Sequence, residues 1–427
     1  MILMFDEIRF TTATLSSHLQ GPVVRRILAA AFNAVEPGAA VRANLPKQSA
    51  KRIFSLGLGK AACAMAGALA AEMEIADTLI ITKHASHLDF EPVTVILGDH
   101  PIPGESSLRA GSAAMDFVSR LTANDLLVCL ISGGGSALMT APLIPLADLK
   151  SLTSTLLKCG ARIDEINTLR RHLDRLKGGG IVEHVNDAQV TSLILSDVVG
   201  DSLESIASGP TAPDPTSRED VLEIIRKYDL AERIPASVVP ALRETPKPGS
   251  ADFQRVQNHV IVSNSIALEV ARSQLEGIGF YSKVVNAKLQ GEAGDIGRKI
   301  AIQLRTELQN TPRPFCLLAG VETTVTVVGN GKGGRNQEIA LGAVGELAGL
   351  QDVMLVSIAT DGEDGPTDAA GAVVTGETAQ RAKRLGMDVA DYQSRNDAYT
   401  FFENLGDLIR TGPSGTNVND LILCFAF

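Results

Sequence analysis

The sequence is poor in cysteine, and its cysteines are not spaced for disulfide or metal chemistry. Only five occur among 427 residues, and no two of them form a C-x-x-C pair. A disulfide framework or a zinc site needs clustered ligands, and the seven histidines show no partner spacing either. We therefore interpret the cysteines as buried thiols of a cytoplasmic protein.

Long apolar runs and an excess of positive charge are also missing. No stretch offers about 18 uninterrupted apolar residues, and the apolar N-terminal opening contains Asp6 and Glu7. With a formal net charge of −10, the chain lacks the dominant basic surface that binding to nucleic acid or an anionic membrane requires. The sequence therefore predicts neither a membrane protein nor a nucleic-acid-binding protein.

Two common nucleotide-binding signatures are absent as well. The sequence has no G-x-x-x-x-G-K-[ST] motif and no protein-kinase motif set, which excludes a Walker-type site and the protein-kinase fold. The aspartates of ATDGEDGPTDAAG, residues 359 to 371, do not have the spacing of an EF-hand. Any phosphoryl-transfer chemistry in this chain would need another fold.

What the sequence does contain is an alternation of short apolar runs with helical periodicity. The runs are IFSLGLG at 53 to 59, TLIIT at 78 to 82, LLVCLI at 126 to 131 and SLILSDV at 192 to 198. Between them, Leu108, Met115 and Val118 fall mostly on one helical face. This alternation predicts an α/β fold with a mainly parallel sheet covered by helices on both faces.

A composition change divides the chain near residues 240 to 253, where PALRETPKPGSADF contains three prolines and a glycine. We predict one domain over residues 1–245 and a second α/β domain over 255–427, as two lobes facing a cleft. The second series begins with HVIVS at 259 to 263, and Asn264 and Ser265 are candidate caps of a helix to about Leu275. Further predicted strands are CLLAGV at 316 to 321, TTVTVV at 323 to 328, VMLVSIA at 353 to 359 and the C-terminal LILCFAF.

The residues that leave each strand are the candidate ligand site, because open α/β sheets bind ligands beyond the carboxyl ends of their strands. In GLGKAA, Lys60 stands at the start of a predicted helix, where backbone N–H groups already favour anions. Gly57 and Gly59 also satisfy the G-x-G-x-x-A dinucleotide fingerprint, which leaves an NAD-linked oxidoreductase open. That fingerprint needs an acid at the end of the second strand, whereas TLIIT ends in Thr82 and Lys83.

Two more strand exits carry candidate residues. The loop ISGGGSA, with Ser132, Gly133, Gly134, Gly135 and Ser136, can present backbone N–H groups to a phosphate or carboxylate. A tight turn that needs positive φ accounts for the same glycines. After the next run, Asp197 could hold Mg²⁺ or accept a hydroxyl proton, and a turn cap is the alternative.

Two basic segments supply candidate anion ligands. Arg170 and Lys177 lie in NTLRRHLDRLKGGG, for which a solvated helix face is the default explanation. The segment GNGKGGRNQE, residues 329 to 338, brings Arg335 ahead of a predicted helix and could clamp an anion. A hairpin-to-helix loop with surface charges is the alternative there.

Taken together, the motifs resemble one known family. They are GLGKAA, GDHPIPGESS, ISGGGSAL, INTLRRHLDRLKGGG, ILSDVVGD, ASGPTAPDPT, GGRNQEIAL, ATDGEDGPTDAAG and GPSGTNVNDL. Each motif is weak alone, but their order from about residue 10 to the C-terminus resembles that of the MOFRL-type glycerate kinases. The resemblance implies a Rossmann-like N-terminal domain, a smaller C-terminal domain and an active site in the cleft between them.

The resemblance also implies an activity, the ATP-dependent phosphorylation of D-glycerate to 2-phosphoglycerate. It implies that Lys60 and Arg335 are catalytic or phosphate-binding cations and that Asp197 is the acidic site residue. Our hypothesis adds that Asp197 orients or deprotonates the glycerate hydroxyl and that Asp197 and Asp361 hold Mg²⁺. Positioning and charge neutralisation would then account for most of the catalysis. We predict nucleotide binding by Gly57, Gly59, Gly333, Gly334 and Asn336, and binding of substrate carboxylate or phosphate by Ser132, Gly133, Gly134, Gly135, Ser136, Arg170 and Lys177.

Two other functions stay open at this point. An NAD(P)H-dependent hydroxypyruvate reductase, a label often given to members of this family, would bind nicotinamide through GLGKAA. A phosphosugar-binding module without catalytic activity would use ISGGGSA to cradle a phosphate. The expected partners are glycerate and ATP, and both a monomer and a homodimer are compatible with the sequence.

Overall fold

A computed structural model of the chain describes residues 5–198 and 200–427, and it contains two mixed groups of helices and strands. The strands are β1 (Arg52–Leu58), β2 (Asp77–Thr82), β3 (Val93–Leu97), β4 (Asp125–Ile131), β5 (Gln189–Leu195), β6 (Val256–Val262), β7 (Tyr281–Glu292), β8 (Phe315–Thr324), β9 (Val353–Ala359), β10 (Gly371–Thr375), β11 (Leu408–Ile409) and β12 (Asp420–Ala426). The predicted α/β class is thereby confirmed.

The helices alternate with these strands along most of the chain. They are α1 (Ala13–Ser17), α2 (Gly21–Ala34), α3 (Pro37–Ala43), α4 (Ala62–Ala70), α5 (Glu105–Ser119), α6 (Gly135–Leu138), α7 (Leu146–Lys158), α8 (Ile163–His172), α9 (Arg218–Lys227), α10 (Val238–Ala241), α11 (Asn264–Gly277), α12 (Ala293–Glu307), α13 (Arg335–Leu347), α14 (Thr378–Arg384), α15 (Val389–Ser394) and α16 (Ala398–Leu405). Short 3₁₀ helices occupy Glu7–Phe10, Gly180–His184, Ile206–Ser208 and Ala251–Arg255. Within the described residues, no helix is long and apolar enough to cross a membrane.

The chain forms two compact units that differ from the predicted domains. The middle unit is Pro37–Ile261, and the terminal unit joins Met1–Glu36 to Val262–Phe427. The first helices belong with the C-terminal half because α2 packs on α11. Inside the terminal unit, Asp407 accepts hydrogen bonds from the backbone and hydroxyl of Thr14, at 2.8 and 2.9 Å. Long-range contacts of this kind produce no recognisable local pattern in a sequence. The proline-rich segment does produce one, and the predicted domain boundary was placed there.

The middle unit is built on a six-stranded sheet in the order β3-β2-β1-β4-β5-β6. The neighbouring strands from β3 to β5 all pair in parallel. Strand β4 is buried along its whole length, which is typical of a central parallel strand with helices on both faces. On one face, Leu56 and Leu58 pack in a core with Ala114 and Phe117 of α5. The apolar runs predicted for β1, β2, β4 and β5 are confirmed as strands.

The terminal unit contains a mixed sheet in the order β11-β10-β9-β12-β8-β7. Only the β7–β8 pair is parallel among the pairs described, and β12 is antiparallel to both β8 and β9. The apolar side of α13, with Ile339, Leu341 and Val344, packs in one core with Phe315 of β8 and Leu355 of β9. This core fixes where the N-terminus of α13 lies relative to the ends of the strands.

Three predictions for the second half of the chain are corrected. The run HVIVS does not open a second sheet, because it forms β6 at the edge of the first one. The cap of α11 is Ser263, whose Oγ accepts a hydrogen bond from the backbone N–H of Ile266. The two strands predicted between residues 316 and 328 are replaced by one strand, β8, which ends at Thr324. Residues 325 to 328 are apolar in composition, yet they belong to no strand.

Candidate active site

The middle unit brings the predicted strand-exit residues to one edge of its sheet. Because β1 to β5 run parallel, Lys60 after β1, the loop 132–136 after β4 and Asp197 after β5 share the carboxyl edge. The chain order reverses between the adjacent strands β1 and β4. Ligands of open α/β sheets bind in the crevice at such a reversal. Topology therefore favours the β1 and β4 exits as the centre of the site.

The turn from β1 into α4 is fitted closely against the β4 exit. Gly59 has φ of 118°, a backbone conformation that favours glycine, and an added Cβ there would overlap Ser132. The backbone N–H of Lys60 donates to the Gly133 carbonyl at 3.0 Å, and its side chain is exposed. Ser132 is buried, and its Oγ accepts from the backbone N–H of Ala61 at 3.0 Å. Gly59 and Ser132 thus shape the turn that presents Lys60.

Gly57 has a comparable packing role within β1. An added Cβ at Gly57 would lie 3.2 Å from the Cβ of Ala62, the first residue of α4. The small residue lets the helix approach the strand, which is one of the functions of glycine in strand-to-helix turns. A direct role of Gly57 or Gly59 in nucleotide binding stays a prediction.

The glycine loop lies directly against the predicted catalytic residues. An added Cβ at Gly133 would overlap Oδ2 of Asp197, so this carboxylate packs on the loop. Gly134 is left-handed, with φ of 86°, and its added Cβ would lie 3.5 Å from Cε of Lys60. The structure therefore brings Lys60, Asp197 and the glycine loop together. This grouping places a cation and a carboxylate beside backbone N–H groups that can bind an anion.

We expect Gly133→Ala to disturb the site strongly, because its methyl group must displace the Asp197 carboxylate. Misplacement of a catalytic group by about 1 Å can cost about 10²-fold in rate, so kcat/KM should fall by about that factor. Gly345→Ala is the control, since no atom lies within 4 Å of its added Cβ on the exposed face of α13. The control should keep full activity, measured by coupled ADP release. Equal activity of both variants would contradict the packing argument.

The loop 132–136 is supported by the start of the ASGPTAPDPT motif, for which the sequence predicted no structural role. Ala207 and Ser208 have φ of 50° and 62°, which is uncommon for residues other than glycine. The Ser136 hydroxyl hydrogen-bonds that of Ser208 at 2.7 Å, and an added Cβ at Gly135 would lie 2.8 Å from the Ala207 methyl. Such strained residues persist where surrounding packing holds them, often at functional sites. The ASGP segment therefore supports the glycine loop from behind.

The two basic residues predicted on and after α8 have different environments. Lys177 is buried, and its Nζ donates to Asp174 at 2.5 Å and to the Met139 carbonyl at 3.1 Å. This ion pair ties the lysine into the fold, so a phosphate contact would require breaking it. Arg170 lines the same small cavity as Lys177 and Ser136. Burial lowers the pKa of Arg170, and no hydrogen-bonding or acidic partner for it occurs among the described residues.

His100 is a site residue that the sequence reasoning missed. It follows β3, and an added Cβ at Gly134 would lie 3.3 Å from His100 Cδ2 and 3.4 Å from its Nε2. Burial, followed by the charges of Lys60 and Lys83, lowers the pKa of this imidazole. The sequence feature that would have identified His100 is the strand VTVIL at 93 to 97, which His100 follows. That edge strand is half-exposed and was not recognised in the sequence, so the residues following it were not inspected as a strand exit.

In the terminal unit, Arg335 stands at the first position of α13 and pairs with a buried carboxylate. Its guanidinium donates through Nε and Nη2 to both oxygens of Asp420, the second bond being 3.0 Å long. Burial opposes the charge of Arg335, but the hydrogen bond and charge of Asp420 prevail and raise its pKa. Burial raises the pKa of Asp420 despite the guanidinium. About a third of the arginine side chain, 35%, remains exposed and able to meet a ligand.

The remaining nucleotide-binding candidates at this helix start are tied to one buried acid. Asp364 accepts from the backbone N–H groups of Asn336 at 3.0 Å and Gln337 at 2.9 Å, and so caps α13. Burial raises the pKa of Asp364 to about 7, although these two donors favour its charged form. Asn336 is fully buried, and an added Cβ at Gly334 would overlap Asp364. Gly333 lies beside Ala398, at 3.4 Å from an added Cβ.

The three aspartates of ATDGEDGPTDAAG do not form a cluster. Asp364 is the helix cap, whereas Asp368 accepts from Tyr399 Oη at 2.7 Å and from Arg410 Nε at 3.0 Å. Asp361 follows β9, and its charge acts on Arg335. Among residues 5–198 and 200–427, no three His, Cys, Asp or Glu side chains are grouped to hold a metal ion. Of these aspartates, both Asp364 and Asp361 act electrostatically on the predicted catalytic arginine, Arg335.

Two protein-family models match the chain. A domain of unknown function, DUF4147, matches residues 23–243, and the MOFRL family matches residues 315–420. The first match contains Lys60 and Asp197, and the second contains Arg335 and Asp361. Both sets of strand-end residues therefore lie inside the matched regions.

Known proteins resemble the chain over most of its length. The D-glycerate 2-kinase of Thermotoga maritima is 40% identical over 407 residues, which are 93% of this chain and 96% of the relative. An Agrobacterium vitis protein named as a candidate hydroxypyruvate reductase is 37% identical over 410 residues, 93% of each chain. The crystal structure of a glycerate kinase from Thermotoga maritima superposes with a TM-score of 0.88 at 40% identity, covering 94% of this chain and 98% of that one.

Proposed function

The chain belongs to the family of glycerate kinases that contain the MOFRL domain, and we propose that it transfers the γ-phosphoryl group of ATP to D-glycerate, giving 2-phosphoglycerate. The observation that carries the proposal is the grouping of Lys60 and Asp197 on the glycine loop at the β1 and β4 exits. A cation and a carboxylate beside free backbone donors suit a reaction between a polyphosphate and an alcohol. The strand order β3-β2-β1-β4-β5-β6 supports the description of the middle unit as Rossmann-like.

The two predicted cations have complementary roles in this proposal. Lys60 is exposed on a turn held by the β4 exit, and Arg335 is oriented by two bonds to Asp420. Phosphoryl transfer has a highly charged transition state, and fixed cations lower its energy without reorganising during the reaction. We assign both side chains to the transferred phosphoryl group. That the substrates bind in a cleft between two domains stays a prediction.

The carboxylates Asp197 and Asp361 fit the needs of Mg²⁺. Magnesium is usually bound by one or two protein carboxylates together with phosphate oxygens and water, so it does not require a cluster of protein ligands. Each of these aspartates follows the carboxyl end of a strand, β5 or β9. When bound, Mg²⁺ would neutralise charge on the ATP phosphate oxygens. The contribution of the protein is to supply these carboxylates near the residues that bind the phosphates.

Glycerate needs a partner for its carboxylate, and the middle unit offers one. Arg170 lines a cavity with Ser136 that has a volume of about 10 Å³, so glycerate would need the walls to move, and Arg170 has no acidic partner among the described residues. A guanidinium in such a position suits a planar carboxylate, which it can bind through two parallel hydrogen bonds. We therefore assign Arg170 and the N–H groups of the glycine loop to the glycerate carboxylate. The assignment of Lys177 as a second ligand stays a prediction, because Asp174 already holds it.

The reductase alternative has weaker support at the same turn. A dinucleotide site needs an acidic residue at the end of β2 to bind the ribose, but β2 ends at Thr82 and is followed by Lys83. A binding module without catalysis would have no use for Asp197 on the glycine loop. We place the kinase in the cytoplasm, in line with its five free cysteines.

The test is an assay of the purified full chain with D-glycerate and Mg·ATP, followed by ³¹P NMR. We expect ADP release that depends on the metal, together with a new signal of 2-phosphoglycerate. Hydroxypyruvate with NADH is run in parallel, and no oxidation of NADH is expected. NADH oxidation without phosphoryl transfer would support the reductase instead. Ligand-induced stabilisation without either reaction would support the binding module.

A further inference from the structure

His100 occupies a position in the middle unit that the proposed catalytic roles do not yet use. Its ring lies over the glycine loop, with Cδ2 and Nε2 at 3.3 and 3.4 Å from an added Cβ of Gly134. The same Cβ would lie 3.5 Å from Cε of Lys60. The imidazole and the lysine therefore flank one glycine of the loop, while Asp197 packs on the preceding residue, Gly133.

The chemistry of the ring is not satisfied by the protein itself. Within the described part of the chain, neither ring nitrogen of His100 has a hydrogen-bond partner. The neighbouring carboxylate, Asp99, instead accepts the backbone N–H groups of Ser106 at 2.9 Å and Ser107 at 3.3 Å. The ring is only partly buried, so water can solvate its nitrogens when no ligand is bound. The ring is therefore available to a molecule bound on the loop.

Burial and two neighbouring lysines favour the neutral form of His100. Burial lowers its pKa first, and Lys60 and Lys83 lower it further. The negative groups at this edge are Asp99, the chain neighbour of His100, and Asp197, on the Gly133 side of the loop. A neutral imidazole has a free lone pair on one nitrogen and can take up a proton near pH 7.

We propose that His100 is a further catalytic residue, whose unprotonated ring nitrogen accepts the hydroxyl proton of glycerate. The inference rests on the proposed kinase function and deepens it. As the glycerate oxygen bonds to the γ-phosphorus of ATP, the bond from that phosphorus to the ADP oxygen breaks and ADP leaves. The hydroxyl proton moves to His100, and the imidazolium then releases it to water.

This role divides the work between His100 and Asp197. A carboxylate that holds Mg²⁺ would be a weaker base for the alcohol, because the charge of the metal favours the ionised form. His100 holds no metal in this proposal, and it flanks the same stretch of loop from the end of β3. The proximity of Lys60 also favours loss of the proton after transfer, because it destabilises the imidazolium. Each cycle can therefore begin with the neutral ring.

The experiment compares His100→Gln with the matched control His87→Gln in the full chain. His87 is exposed and pairs with Asp89, so its replacement should leave activity unchanged. We expect His100→Gln to lower kcat by about 10²–10⁴-fold, the usual contribution of a general base, with little change in the KM for ATP. In the wild type, kcat should fall at acidic pH with an apparent pKa below about 6.5. His100→Gln should lose this acidic limb.

The outcomes separate the inference from the function on which it rests. If the wild type turns over glycerate while His100→Gln keeps its kcat and acidic limb, the base assignment is wrong and the kinase proposal stands. A raised KM with unchanged kcat would make His100 a ligand only, and would also overturn the assignment. No glycerate phosphorylation by the wild type would instead defeat the proposed function. If thermal unfolding shows that His100→Gln does not fold, His100→Asn replaces it. Independently of the variants, a wild-type kcat that does not fall at acidic pH would contradict the assignment of His100 as the base.

Discussion

Replacing Lys60 by methionine is expected to lower kcat by about 10²–10³-fold, the usual cost of removing one electrostatic group from a transition state. Methionine keeps an apolar stem of similar length but lacks the charge. The backbone of the turn should survive, because its bonds to Gly133 and Ser132 involve main-chain groups of Lys60 and Ala61. The loss should therefore appear in kcat, measured by steady-state ADP release, while the free energy of unfolding stays nearly unchanged.

Two further variants serve as controls for this experiment. Lys51→Met removes an exposed lysine just before β1 in the same unit, and it should keep full activity. Lys60→Arg retains the charge in a different geometry, and it should fall between the wild type and Lys60→Met. Full turnover by Lys60→Met would mean that the charge at this turn does not act on the phosphoryl group. In that case, the assignment of the β1 and β4 exits as the reaction centre would also fail.

Replacing Arg335 by methionine should impair both activity and stability, because this arginine neutralises a buried acid. We expect kcat to fall by about 10²–10³-fold through the lost charge. Asp420 is fully buried and would lose both guanidinium bonds, a loss that costs roughly 1–3 kcal/mol in the free energy of unfolding. Urea denaturation of the variant and the wild type measures this second effect.

A double variant separates the two consequences of losing Arg335. Asp420→Asn removes the charge that Arg335→Met leaves unpaired, so the double variant should regain much of the stability and none of the activity. Burial raises the pKa of Asp420 above its unfolded value, so the stabilising effect of its neutral form is lost as pH rises through the folded pKa. The stability defect of Arg335→Met should therefore shrink as pH is lowered. Recovery of turnover in the double variant would show that Arg335 acts only through the fold.

The sequence was most informative where local pattern and burial coincide. Strands β1, β2, β4 and β5 are buried almost throughout, and their apolar runs were recognised as strands. Strand β3 was not predicted although its sequence, VTVIL, is largely apolar, and most of its residues are partly exposed at the edge of the sheet. Of the run at 323 to 328, only Thr323 and Thr324 lie in a strand, since a β-favouring composition does not ensure a pairing partner.

Several residues of the candidate site were predicted, but the hydrogen bonds that hold them in place were not. Lys60, the glycine loop and Asp197 were identified because each follows a recognisable strand. Asp364 was considered only as one member of an aspartate cluster, although it caps α13 from 28 residues away from Asn336. The pairing of Asp420 with Arg335 was not predicted, because the two residues lie 85 positions apart along the chain. Hydrogen bonds over such separations have no local signature.

By itself, the sequence determined the α/β class, the strand exits that carry Lys60 and Asp197, the helix start that carries Arg335, and the resemblance to glycerate kinases. These depend on local periodicity, on glycine in turns and on motif order, all of which can be inspected along the chain. Only the tertiary structure decided that the N-terminal helices join the C-terminal half and that His100 lies over Gly134. It also decided that Lys177 is held by Asp174. The physical reason is that such arrangements follow from sheet order and long-range packing, and the sequence specifies these only through the whole fold.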